Sequence, residues 1–297
     1  ECHFLTRNTA TPVLNMLKSQ CANLHILPSE EDILAEAENL TQGLLASFDT
    51  IILDGYHFDS GYQKIMKAGG LAVVCIDDIH HCHFYADAII NHAGGVTPQD
   101  YDAAPYTRFY LGPQYAILRN EYLKSTFTRS SRPGMDRILV CMGGADPQHD
   151  TLKVLQYIAP QLNDDIKLTI VTGAGFLHMP ALIEYLSTIN NYSLMSCLDT
   201  KHMIRVMEEC GLAILPASTI SMEYMSLGGV LYLHQIAENQ KNIYQYFINE
   251  GMALPLEKFT VVPDTDQFKS IVSRQRQILD RQSGDRIVTI FKNLLHE

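Results

Sequence analysis

Short, continuously apolar runs alternate with amphipathic, helix-like runs along nearly the whole chain, and that alternation leaves few architectures open. Strand-like runs are read at residues 3–6, 50–53, 71–76, 88–91, 137–142, 167–172, 192–195, 212–215 and 230–234. Helix-like runs lie among them at 60–68, 148–158, 180–188, 201–209 and 239–249. Strands this uniformly apolar need cover on both faces, which helical crossovers supply in parallel sheets. The expected class is α/β, with parallel sheets. A length of 297 residues suits two such units, each with its own core. The polar run Ser130-Ser-Arg-Pro-Gly134 is the best linker signal. It sets the expected domains at 1–131 and 132–297. The chain closes on two further helix-like runs, 266–279 and 286–295, and the terminal one is of a kind that packs back across the first half.

Composition excludes several classes of function. The net charge of −11 argues against a nucleic-acid surface, which needs a basic face. No apolar run approaches the span of a membrane helix, and Glu1-Cys-His-Phe-Leu has no basic start or long apolar stretch of a leader. Seven scattered cysteines without a CxxC pair point to reduced thiols in a cytoplasm, and away from a structural zinc. No metal and no cofactor is expected, and oligomeric state is not readable.

Two junctions in the second half carry the chemistry. In Met142-Gly143-Gly144-Ala145-Asp146-Pro147 a strand runs into two glycines, which permit positive φ and close approach of backbone to a ligand. Asp146 is then a helix cap with Pro147 at the first helical position. A plain strand–turn–helix connection is the competing reading. In Pro216-Ala-Ser218-Thr219-Ile-Ser-Met-Glu223, Ser218 or Thr219 caps a helix that carries Glu223 in an interior-looking run, where an idle carboxylate would be costly. Its competing reading is a cap beside a solvated glutamate. Helix starts expose unpaired N–H groups at a positive dipole end, so a pair of them suits a diphosphate, with Glu223 accepting from a ribose diol. Asn239 and Gln240 open the next helix and suit sugar hydroxyls or amides.

In the first half, polar residues follow strand ends. Asp54-Gly55-Tyr56-His57 closes one strand, and Asp77-Asp78 closes the next, followed by His80, His81 and His83. Residues at carboxyl ends of parallel strands line the ligand crevice, so Asp54, Tyr56, Asp77, Asp78 and His83 are candidates to face the second half across a cleft, for sugar binding and acid–base work. Asp77 and Asp78 cannot both point the same way, so one of them is structural. A histidine metal site and a plain polar loop are the other readings of this stretch.

Several ordered stretches resemble the UDP-sugar hydrolase family of pseudaminic acid biosynthesis, a relative of the peptidoglycan glycosyltransferase with two Rossmann-like domains (the GT-B fold). They span residues 45 to 250. Asp54-Gly-Tyr56, then Ile76-Asp77-Asp78 with His83, Asp87 and Asn91, are similar to its first-domain motifs. So is Leu111-Gly-Pro-Gln-Tyr-Ala-Ile-Leu-Arg119-Asn-Glu-Tyr122. Cys141-Met-Gly-Gly-Ala-Asp146 resembles its Gly-Gly-Thr-Asp loop, with Ala145 in place of threonine, and Ser218-Thr219…Glu223 and Glu238-Asn239-Gln240 resemble its nucleotide and sugar loops. The resemblance implies inverting hydrolysis of a UDP-linked diacetamido-trideoxy sugar at its anomeric C–O bond. It places Gly143, Gly144, Ser218 and Thr219 near the diphosphate, Glu223 on the ribose, and Tyr56, Asp78, Asn239 and Gln240 around the sugar; by their positions Asp146 joins the phosphate candidates, Asp54 the sugar-binding ones and His83 the catalytic ones.

One stretch departs from the family. Its members begin with a strand and a Gly-x-Gly-His-x-x-Arg loop carrying the histidine assigned as the water-activating base, and no such stretch occurs here. Residues 2–6 look like the family's second strand. The expectation is a chain without its leading strand–loop–helix unit, and a first sheet split where a central strand is lacking. His57 and His83 are the substitute candidates for a base. A GT-B glycosyltransferase using a UDP-amino-sugar donor, and a nucleotide-sugar binding protein without catalysis, stand as alternatives.

Overall fold

The computed structural model describes residues 1–7, 11–28, 32–127, 134–261 and 264–295. In chain order the first half holds β1 (Phe4–Thr6), α1 (Thr11–Gln20), β2 (Leu24–Ile26), α2 (Ile33–Gln42), β3 (Thr50–Asp54), α3 (Ser60–Ala68), β4 (Ala72–Ile76), β5 (Ala88–Asn91), β6 (Arg108–Leu111) and α4 (Asn120–Leu123). The second holds β7 (Arg137–Val140), α5 (Asp150–Ile158), β8 (Lys167–Thr172), α6 (Met179–Leu186), β9 (Tyr192–Ser196), α7 (Thr200–Glu209), β10 (Leu212–Pro216), α8 (Thr219–Leu227), β11 (Val230–His234), α9 (Lys241–Asn249), β12 (Leu254–Pro255), α10 (Thr265–Ile278) and α11 (Ser283–Leu295). Several helices start at the aspartates that cap them. Asp59 accepts from Tyr62 N at 3.0 Å and Asp199 from His202 N at 2.8 Å, each satisfying an orphan first-turn donor.

The second half is one six-stranded parallel sheet in the order β12-β11-β10-β7-β8-β9. The chain travels outward from β7 to β9, returns, and travels outward again from β10 to β12. β7 and β10 are therefore neighbours at the reversal, the place where open α/β sheets leave a crevice at the strands' carboxyl ends. Apolar side chains cover both faces: Leu139, Ala213 and Leu231 belong to one core, Ile138, Ile214 and Tyr232 to the other.

The first half holds two separate sheets. β3-β4-β5-β6 form one parallel sheet, and β1-β2 form a separate parallel pair. The pair still shares the first core, where Leu5 and Leu27 pack with Leu53, Val73 and Ile89. Just past β1, Arg7 pairs with Glu36 and lies 3.2 Å from His57 Nε2, beyond the end of β3. The other face of the four-stranded sheet is covered from far along the chain: Ile290 of α11 is buried with Val74, Ala88 and Ile90. The expected return of the terminal helix to the first half is thus observed. Traffic also runs the other way, since Ala93, Ala116, Leu118 and Tyr122 are buried in the second half's core.

Nearly every strand read from the sequence is present within a residue or two. The short strands β2, β6 and β12 and the helices α1, α2 and α4 were not read, because edge strands of two to four residues and half-exposed helices carry little periodic signal. The linker residues 130–133 lie outside the described residues. Gly134 abuts Gly211, whose N–H donates to Gly134 O at 2.8 Å. All seven cysteines are free, and Cys75, Cys141 and Cys210 are buried. Among the described residues no helix is long and apolar enough to cross a membrane.

Candidate functional site

Gly143 and Gly144 follow β7, and Ser218 and Thr219 follow β10, so the reversal of the second sheet brings the two glycine and hydroxyl junctions side by side. Gly143 has φ +86°, a conformation that L side chains rarely adopt. A Cβ on Gly143 or Gly144 would meet no atom within 4 Å, so the loop opens onto free space. Behind it the backbone is close-packed: Gly175 N donates to Gly144 O at 3.0 Å, and a Cβ on Gly173 would strike Gly144. The glycine pair therefore has a solid back and an open front.

Both helix starts differ in detail from the reading of the sequence. Asp146 does cap α5, but from further away. Its carboxylate accepts from Asp150 N at 2.7 Å and Thr151 N at 2.9 Å, and the helix begins at Asp150. Pro147 thus lies in the preceding turn, not at the first helical position. The carboxylate thus faces the first turn of its own helix. Ser218 stands at the cap position of α8 in extended conformation, but its hydroxyl makes no capping hydrogen bond. The first-turn amides of α8 therefore have no side-chain acceptor, a condition that favours an external anion.

Glu223 is 3% exposed, because the whole of α8 from Ser221 to Leu227 is buried. It is not idle. Arg119 Nε donates to its Oε1 at 2.7 Å and Nη2 to its Oε2 at 2.6 Å. That hydrogen bonding is the first cause of the Arg119 guanidinium's upward pKa displacement.

On the first sheet, Asp54 pairs in register with Ile76, and Ile76 with Ile90. Tyr56, Asp78 and His92 each lie two residues beyond those positions, past the ends of three adjacent strands. Tyr56 donates to Asp78 Oδ2 at 3.4 Å, and burial first, then Asp78, pushes the phenol's pKa up. Asn239 reaches across from the second half, its Nδ2 lying 3.3 Å from the Tyr56 hydroxyl and 3.5 Å from Asp78 Oδ2. The neighbouring aspartate is the structural one: Asp77 is buried and accepts from His80 N at 3.0 Å. His92 was not singled out in the sequence. Burial holds its pKa below the ordinary histidine value, while Asp78 and Asp54 pull it upward.

Other candidates sit apart from this cluster. His83 lies 2.7 Å from Asp102 and packs edge-on to Tyr85, so its ring is committed to a neighbouring loop. Gln240 turns its Oε1 back to Ile236 N at 3.0 Å. Asp54 is exposed, and its resolved influence is on His92. His80 packs on Tyr101 and lies 3.3 Å from Asn91 Nδ2. Among the described residues no three His, Cys, Asp or Glu side chains converge as a metal site.

No family model matches the chain. It is 26% identical over 216 residues to the spore coat polysaccharide biosynthesis protein SpsG of Bacillus subtilis, covering 71% of this chain and 63% of that one. It is 25% identical over 230 residues to an uncharacterized protein of Methanocaldococcus jannaschii, covering 74% and 46%. The chain thus spans less than two thirds of the length of either relative. Among solved structures it is similar to a putative UDP-N-acetylglucosamine 2-epimerase from Listeria monocytogenes, with TM-score 0.60, 12% identity, and coverage of 100% and 89%. It is similar to MurG of Acinetobacter baumannii, with TM-score 0.59, 13% identity, and coverage of 95% and 89%. Anabaena HepE, solved with UDP and glucose, has TM-score 0.55, 11% identity, and coverage of 96% and 90%. At such identities the likeness shows the fold: two Rossmann-like units of the GT-B type.

Proposed function

We propose that this chain acts on a UDP-linked sugar, and that the reaction is hydrolysis of a diacetamido-trideoxy sugar nucleotide at the anomeric C–O bond with inversion. The observation that carries the reading is the adjacency of two amide-lined junctions at the sheet's reversal. The open glycine loop at Gly143–Gly144 and the uncapped start of α8 at Ser218–Thr219 suit a pyrophosphate. Glu223, inside the same helix, suits the ribose. Tyr56, Asp78 and Asn239 meet across the two halves and suit the sugar. The oxygen of water bonds to C1 as the C1–O bond breaks; the electron pair of that bond leaves on UDP, and one proton of the water passes to solvent. Negative charge develops on the departing phosphate, where preorganised N–H donors stabilise it most. The SpsG relative and the UDP-sugar proteins of like fold support a nucleotide-sugar substrate.

A second reading is transfer of the sugar to an acceptor other than water. Product analysis in ¹⁸O-labelled water separates the two. Hydrolysis without an added acceptor is expected to yield free UDP, with the label on the sugar's C1 hydroxyl. Turnover only with an acceptor shifts the assignment to a transferase. Label in UDP means P–O cleavage and ends the proposal, as does the absence of UDP binding.

A further inference from the structure

The guanidinium of Arg119 is held at every nitrogen. Beyond its two bonds to Glu223, Nη1 donates to Thr200 Oγ1 at 3.1 Å and Nη2 reaches the Tyr122 hydroxyl at 3.4 Å. The guanidinium carbon also lies 5.2 Å from the Tyr122 ring centroid. Its three partners come from α8, α7 and α4, so three elements fix the direction of one side chain. Such a locked donor is preorganised: little further entropy is lost when a ligand arrives.

The consequence for Glu223 is chemical. A carboxylate that is 3% exposed is costly to keep ionised without a partner, and an unneutralised one would repel an anionic diphosphate close by. Arg119 removes both difficulties. Its two parallel hydrogen bonds give the carboxylate a partner of opposite charge, so the ion pair carries no net charge. The parallel two-bond grip occupies one lone-pair site on each oxygen and leaves another on each. Two adjacent acceptor positions of fixed orientation match two adjacent hydroxyl donors. A neutral or protonated glutamate side chain would mix donor with acceptor and lose that match.

We infer that Arg119 is a positioning residue: by its two-pronged hold on Glu223 it makes the site select a nucleotide with a vicinal ribose diol over its 2′-deoxy counterpart. This rests on the reading of the site as one for a uridine diphosphate. Lysine cannot replace Arg119 here, since an ammonium offers a single point of attachment and no planar fork.

The test is calorimetric titration of the full chain with uridine diphosphate and with 2′-deoxyuridine diphosphate. Wild type, Arg119→Lys, Arg119→Gln and Glu223→Gln are compared, with melting temperatures recorded in parallel. Wild type is expected to favour the ribonucleotide by about tenfold or more, the size of one hydrogen bond to a charged group. In Arg119→Lys the preference should fall to less than about threefold, chiefly through weaker binding of the ribonucleotide. Should Arg119→Gln fail to fold, Arg119→Lys carries the comparison, because it keeps a cation opposite Glu223. If Arg119→Lys weakens both nucleotides equally and leaves the preference intact, Arg119 only supports the fold and the inference fails. If wild type shows no preference, or Glu223→Gln retains all of it, the ribose assignment of Glu223 fails first.

Discussion

His92 emerges from β5 between Asn91, 1% exposed, and Ala93, 3% exposed and part of the second half's core. Its ring is partly exposed and, among the described residues, makes no hydrogen bond. Burial disfavours the imidazolium, so the folded ring takes up its proton at lower pH than the unfolded one, whose ordinary value is about 6.5. The unfolded chain therefore binds more protons at mildly acid pH, and stability from this group is full above that value and is lost as pH falls through the folded pKa. Urea midpoints of wild type and His92→Gln should accordingly differ in pH dependence. The wild-type midpoint should fall more between pH 7 and pH 5, and parallel curves would refute the claim. The same residue shows how strand-end reasoning succeeds and stops short. Asp54, Tyr56 and Asp78 were identified because they follow strand ends. His92 occupies an equivalent place, but Ala88–Asn91 ends in a polar residue that itself looked like the strand's terminus. The grip of Arg119 on Glu223 was beyond sequence reading for another reason. The two lie 104 positions apart, and no periodicity links them.

Among the elements, α8 and α11 draw opposite lessons. α8 is buried almost all round, and its sequence Thr219–Leu227 mixes hydroxyls, a glutamate and apolar residues without a clear stripe. Only the cap signal at Ser218 and the apolar run after Glu223 betrayed it. α11 reads plainly as a helix, and its apolar side chains find the first half's sheet. Ile290, 2% exposed, packs on Val74, Ala88 and Ile90. Ile290→Ala should destabilise the protein by about 2–4 kcal/mol through lost burial and an unfilled cavity. Denaturant unfolding followed by a first-half probe would detect it, and a midpoint within error of wild type would show that α11 contributes little there. Arg281 reinforces the same join. Its Nη2 donates to Phe127 O at 2.6 Å and Ser226 O at 2.6 Å, and its Nη1 to Ser125 O. Three carbonyls that end local structure in both halves thus share one cation.

For the molecule as a whole, the alternation of apolar runs and helices was enough to read two parallel-sheet units and the residues at their facing strand ends. It was not enough to read how they interlock, because that depends on residues such as Ala93, Tyr122 and Ile290 that look like ordinary core positions of their own half. The halves meet at the site through Asn239, Tyr56 and Asp78. Asn239→Asp would set a second carboxylate against Asp78, a repulsion of roughly 1 kcal/mol in a solvent-exposed setting. It should raise KM for the sugar nucleotide several-fold and enlarge the radius of gyration seen by small-angle X-ray scattering. Unchanged values of both would mean that this contact is not used in closing. Tyr246 of α9 marks a second meeting point, since a side chain on Gly94 would run into its ring. Finally, the return of α11 has a meaning for biosynthesis. While a ribosome has delivered only the first half, Val74, Ala88 and Ile90 have Tyr110 and Tyr115 beside them but lack the cover of α11, and an apolar surface waits in the nascent polypeptide until Ile290 leaves the exit tunnel. Production of this protein should depend on chaperones able to shield that surface for most of the time translation takes.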